Sequence, residues 1–194
     1  MFNRPNYMVR EHVGFLKMSD TYDILDPETQ RQVGVAQERN SGWITALRLL
    51  VSKQVLPTRV VIIEGEDPKQ TPVLSLVRGF TLFRSRVRIL GADGQEIASF
   101  RSRLFTIGGA FDIFDPSGRQ IGSVKGNWKG WAFVFLDETG KERGKIAKQW
   151  AGIGKELLTS ADTYVVSLSE GSPPALMPLL LAAGLAIDVV FKER

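Results

Sequence analysis

A chain of 194 residues can bury a full core without cross-links, and 43% hydrophobic with 24% charged residues is a globular balance, not a disordered one. No cysteine and a single histidine, His12, exclude disulfides, thiolate metal sites, cysteine nucleophiles and His-based triads. The net charge of +4 permits attraction to an anionic membrane or to nucleic acid without choosing between them, so its placement matters more than its sum.

Residues 1–11 are polar and hold no apolar run of the kind a secretory signal needs, so a cytoplasmic location is expected. From residue 22 onward the chain repeats a hairpin pattern of two alternating strands of about five or six residues joined by a turn rich in Asp, Gly and Pro. YDILDPETQRQVGV at 22–35 aligns almost residue for residue with FDIFDPSGRQIGSV at 111–124. Residues 60–77, 87–100 and 133–146 follow the same plan around Glu66-Asp67-Pro68, Asp93-Gly94 and Glu138-Thr139-Gly140. The series predicts an antiparallel meander. Aspartate caps local turns, so Asp23 with Asp26 and Asp112 with Asp115 are read as turn chemistry before paired catalytic carboxylates.

Two segments break the alternation. Residues 41–51, SGWITALRLLV, begin with an N-cap candidate, Ser41, and place Trp43, Leu47 and Leu50 on one helical face. Residues 173–191, PPALMPLLLAAGLAIDVVF, are apolar on every side and demand burial all round. A membrane span needs about 20 apolar residues, and an acid near its centre costs about 2.5 to 3.5 kcal/mol. This run is short and contains Pro178 and Asp188. A closed sheet of about a dozen strands, in contrast, has an interior too wide for its own side chains to fill. The prediction is one domain over residues 1–194. It is mainly β, a closed antiparallel barrel of about twelve strands around a central hydrophobic C-terminal helix, with a short helix near 41–51.

The run WAGIGKELLTSADTY at 150–164, followed by AGLAID at 183–188 and FKE at 191–193, resembles the phospholipid scramblase family within the wider tubby-like and LURP-one-related group. The repeated hairpins resemble the same group, so the likeness runs from about residue 22 to 193. The resemblance implies a twelve-stranded barrel around a hydrophobic helix and activity at lipid membranes. That activity is bidirectional phospholipid movement in scramblases and phosphoinositide binding through basic residues in tubby relatives. It also implies a calcium loop, here beginning at Ser160. Only Asp162 keeps an acidic ligand at an expected position, and Tyr164, Val166 and Leu168 cannot supply the six to eight oxygens, roughly, that calcium takes. Tight calcium binding is not expected, and no other cofactor is called for. The cysteine cluster and proline-rich extension of some animal scramblases are absent from the sequence.

Arg84, Arg86 and Arg88 alternate with Ser85, Val87 and Ile89, which puts the arginines on one strand face. A two-residue turn at Asp93-Gly94 would set Arg86 opposite Arg101 and Arg84 opposite Arg103. Opposed like charges destabilise a sheet, so the five arginines read either as ligands for a lipid phosphate or as a solvated face paired with neighbouring acids. Trp128, Lys129 and Trp131 suit a membrane interface, while Trp131 suits equally well the packing of a barrel mouth. No nucleic-acid motif accompanies them, and no set of residues supports an enzyme. The expected function is scramblase-like binding of anionic phospholipid at the inner face of a membrane. The alternative is a soluble tubby-like binding or structural module with a protein or small-ligand partner.

Overall fold

The computed structural model describes residues 2–12, 20–40, 42, 44, 55–80, 85–103, 109–127, 130–148 and 163–192. Twelve strands run in sequence: β1 (Asn6–Glu11), β2 (Thr21–Leu25), β3 (Gln32–Glu38), β4 (Thr58–Glu64), β5 (Leu74–Arg78), β6 (Arg86–Gly91), β7 (Glu96–Ser102), β8 (Ala110–Phe114), β9 (Gln120–Asn127), β10 (Ala132–Asp137), β11 (Glu142–Ala147) and β12 (Thr163–Leu168). Each pairs antiparallel with its sequence neighbours, and β12 returns to pair with β1, closing the barrel. The meander therefore has no free edge, which removes the template for edge-to-edge association. The tight hairpin turns gather at one end of the barrel, and the opposite rim is formed by the far ends of the strands, Glu11, Glu38, Arg78, Ser102, Asn127 and Ala147 among them.

The hairpins repeat more closely than alternation alone predicts. Between β6 and β7 the loop has three residues, Ala92, Asp93 and Gly94, closed by Gly91 N–H donating to the Gln95 carbonyl at 2.9 Å. Gly94 takes φ +79, the left-handed position that such a loop assigns to glycine. The predicted two-residue turn is thus corrected by one residue. The ladder then steps from Leu90↔Glu96 to Ile89↔Ala98, leaving Ile97 as a bulge. The two offsets cancel, and Arg86 still faces Arg101. The same step leaves Val33, Ile121 and Arg143 as extra residues in three other hairpins. Asp26, Asp115 and Asp137 close those turns as acceptors, for example from Thr29 N–H at 3.1 Å, Arg119 N–H at 3.0 Å and Lys141 N–H at 3.0 Å.

The apolar C-terminal run opens with a single 3-10 turn, Pro174–Leu176, and becomes α1 (Met177–Ile187), ending in a π-helical turn, Asp188–Lys192. Leu180, Leu181, Ala182, Ala183, Leu185, Ala186 and Ile187 are all 0% exposed. They share one core with inward residues from every strand, such as Val9, Ile62, Phe100, Phe133 and Val166. The helix therefore occupies the lumen, and each fully buried leucine contributes about 1.5 to 3 kcal/mol. Small residues set its fit: a Cβ on Gly184 would lie 2.9 Å from Tyr164 Cε2. Among the described residues no helix is long and apolar enough to cross a membrane. Of the helix expected near 41–51, Gly42 and Ile44 are helical, and the remainder lies outside the described residues.

Candidate functional site

Register decides which arginines share a face. Arg59, Val77 and Arg88 stand side by side across β4, β5 and β6, and Arg86, Arg101 and Asp112 across β6, β7 and β8. These positions point outward, because their neighbours Val60, Leu76, Val87 and Phe100 are buried inside the barrel. Arg86 pairs with Glu96 at 3.0 Å and Arg103 pairs with Asp112, donating from Nε at 2.9 Å. Arg101 lays its guanidinium over the Phe114 ring, 4.1 Å from the centroid. Arg84, Trp128, Lys129 and Asp162 lie outside the described residues.

The balance of charge on this flank is what sequence reading missed. Among the described residues, Arg59, Arg88, Arg101 and Lys125 form no ion pair, and the two acids nearby are engaged with Arg86 and Arg103. Four uncompensated cations thus spread from β4 to β9, toward the rim opposite the hairpin turns. The β1–β3 side of that rim instead mixes Glu11, Asp20, Asp23 and Glu38 with Arg10, His12 and Arg39. Arg59 is the one cation of β4, TRVVIIE, and gave no sequence signal. Asp23 is not turn chemistry: it accepts from His12 Nε2 at 2.7 Å and Arg10 Nη2 at 3.3 Å. Asp112 plays the corresponding part toward Arg103.

Inside the rim, the helix terminus is held by buried polar groups. Tyr22 donates its hydroxyl to Asp188, and Arg78, 3% exposed, donates from Nη1 to the Val189 carbonyl at 2.6 Å and from Nη2 to Thr58 Oγ1 at 3.1 Å. Trp131 is 9% exposed and stacks on Tyr164 with ring centroids 5.0 Å apart, the barrel-mouth packing of the two expected alternatives. Burial, and after it the Asp188 carboxylate, push the Tyr22 phenol well above its ordinary value of 10, and the same two causes raise Tyr164. A phenol whose folded value is raised holds its full contribution below the unfolded value of about 10 and loses it as pH climbs toward the folded one. Stability should therefore fall above about pH 10 by up to ~1.4 kcal/mol per pH unit for each tyrosine. Denaturant melts from pH 9 to 11 should show a shallower decline in the Y22F/Y164F double variant, and identical slopes would refute the assignment.

At the hairpin end, a groove of about 420 Å3 lies beside the start of the helix, lined by Phe2, Ile97, Ala98, Leu176, Pro178 and Leu179, among others. It is almost wholly apolar.

A closed twelve-strand barrel filled by an apolar C-terminal helix is the architecture of the tubby-like superfamily, and the chain is consistent with that class. Residues 130–194, which span β10 to the end of the chain, match the family model described as Scramblase. The match covers the final third and supports a scramblase-like or tubby-like protein, a family that is not one of classical enzymes. Comparison with curated proteins and with solved structures gave no match.

Proposed function

We propose that this protein binds anionic phospholipid head groups at a membrane surface as a peripheral, scramblase-like barrel. The observation that carries the reading is the outer flank from β4 to β9, where Arg59, Arg88, Arg101 and Lys125 have no carboxylate partner among the described residues. Each basic side chain near an anionic leaflet contributes about 1 kcal/mol, so four give loose, reversible and salt-sensitive attachment. Arg86 and Arg103 join at lower value, because a phosphate must compete with Glu96 and Asp112. Arg84 extends the set by sequence. The helix fills the lumen, so a head group has no path through the barrel, and any lipid movement this chain promotes runs along its outer surface.

Co-sedimentation with phosphatidylcholine vesicles, with and without phosphatidylserine, tests the reading. Wild type should pellet with the anionic vesicles only and release at high salt. R59E/R88E removes two attractions of about 1 kcal/mol each and adds repulsion, so affinity should drop about thirtyfold or more with the melting temperature unchanged. Equal, weak binding to both vesicle types would remove the proposal. The apolar groove favours a second reading, a soluble module that takes a small apolar ligand at the barrel mouth. A fluorescent fatty-acid probe displaced by I97E, together with indifference to vesicles, would establish it instead.

A further inference from the structure

Among the described residues only two large hydrophobic side chains are exposed, Phe80 at 64% and Ile97 at 44%. Ile97 has a local cause: it is the bulge residue of the β6–β7 hairpin, and it lines the apolar groove with Leu176 and Leu179. Phe80 has neither excuse. It lies two residues beyond the end of β5, at the rim opposite the hairpin turns, where β5 is flanked by β4 and β6. Those two neighbours carry Arg59, Arg86 and Arg88 on their outer faces, and Arg101 follows on β7.

A lone exposed phenylalanine is ordinary on a protein surface. One near Arg59, Arg88 and Arg101, which form no ion pair among the described residues, is a different object, because an aromatic beside guanidinium groups matches the layering of an anionic bilayer, phosphate outside and hydrocarbon beneath. A free phosphate or a soluble head group would satisfy the arginines and leave the ring in water. The charge also fixes orientation: the β1–β3 side of the same rim carries Arg10, His12 and Arg39 beside Glu11, Asp20, Asp23 and Glu38, with Asp23 engaged by Arg10 and His12, so it lacks the cationic excess of the β4–β7 side.

We propose that Phe80 is a membrane anchor that enters the acyl region of an anionic bilayer while Arg59, Arg88 and Arg101 hold the head groups around it, so that the barrel docks tilted, with its β4–β7 rim down and its hairpin end in solution. The inference rests on the membrane reading above and adds its geometry. The anchor makes the partner a bilayer.

The absence of native cysteine allows a clean test. An environment-sensitive NBD label is placed on F80C or, as a control at the hairpin end, on A92C, and phosphatidylcholine vesicles with or without 30% phosphatidylserine, a composition of roughly physiological order, are added. Labelled position 80 should brighten, shift to the blue and be quenched by lipids carrying nitroxide on the acyl chain, with position 92 unchanged. The unlabelled F80S variant should bind about tenfold more weakly with the same melting temperature, and F80W should bind as well as wild type. Salt-sensitive binding of wild type with F80S unaltered and position 80 still in water would overturn the anchor and leave the head-group reading standing. Failure of wild type to bind anionic vesicles would end both. A blue shift that grows with protein concentration without lipid would overturn it in favour of self-association.

Discussion

Truncating Arg78 to alanine should destabilise the folded barrel by about 3 kcal/mol or more, although the residue is charged and buried. Arg78 closes β5 with its side chain turned inward, and its guanidinium serves the end of the helix: the Val189 carbonyl at 2.6 Å, Thr58 Oγ1 at 3.1 Å and the Leu56 carbonyl at 3.4 Å. The last carbonyls of a helix lack intrahelical donors, and a cation there also meets the negative end of the helix dipole. Removing a buried cation relieves some desolvation cost, yet each acceptor left unpaired costs about 1 to 3 kcal/mol, and two or three are left. The loss outweighs the relief. In a domain of this size a kilocalorie shifts the melting temperature by about 2 to 4 °C, so R78A should melt about 6 to 12 °C lower. R78M keeps most of the packing and separates the hydrogen-bond share from the cavity share. If R78A and R78M both melt within a degree or so of wild type, the helix terminus is not held by this residue.

Arg78 was not legible in advance, although parity turns it inward. Leu74, Leu76 and Arg78 share one face of β5, and the strand pairs Arg78 with Val87 and Val77 with Arg88. Alternation alone therefore points Arg78 inward. An arginine in an Arg-rich stretch nevertheless reads as solvated, because burial of an unpaired charge is costly and the carbonyls that receive it come from residues 22 and 111 positions away in sequence. The hairpins and the central helix were legible because their signals are local: alternation of period two, Asp and Gly at turns, and an apolar run with no polar face. The Arg86↔Arg101 register was obtained from a turn one residue too short, and it survived because the Ile97 bulge restores the offset. The acids that engage Arg86 and Arg103 depend on that register and on β8, and could not be assigned before both were known.

The near-identity of residues 22–35 and 111–124 carries more than turn chemistry. β2 and β8 stand six strands apart around the barrel, and each sets an outward aspartate against an arginine of the preceding strand: Arg10↔Asp23 and Arg101↔Asp112. The second donor to the aspartate differs, His12 on one side and Arg103 on the other. Inside the barrel the two copies diverge at one atom that matters, since Tyr22 has a hydroxyl for Asp188 where Phe111 has none. A lumen with two similar halves would accept the helix in two rotations. The Tyr22 phenol bonded to Asp188, together with Arg78 on β5, distinguishes them.

A methyl group placed on the lumen side of β11 should show where the helix sits. A Cβ on Gly144 would overlap Leu180 Cδ2 and lie 2.7 Å from the Ser167 carbonyl oxygen, so G144A forces the helix and the β11–β12 ladder apart. Overpacking of this kind costs about 1 to 3 kcal/mol, and the upper end applies here because one of the contacts is backbone. L180A alone leaves a cavity and costs about 2 to 5 kcal/mol. In the double variant the added methyl occupies space that the lost leucine vacates, so the combined cost should fall short of the sum by about 1 kcal/mol or more. G126A is the control. Its Cβ would meet the Ala132 carbonyl oxygen and Phe133, 2.6 Å from Phe133 Cα, with no helix residue among the nearest atoms, so its cost should add to that of L180A. Additive costs for both glycines in denaturant melts would place Leu180 away from β11, and the helix outside the position on which the barrel's core depends.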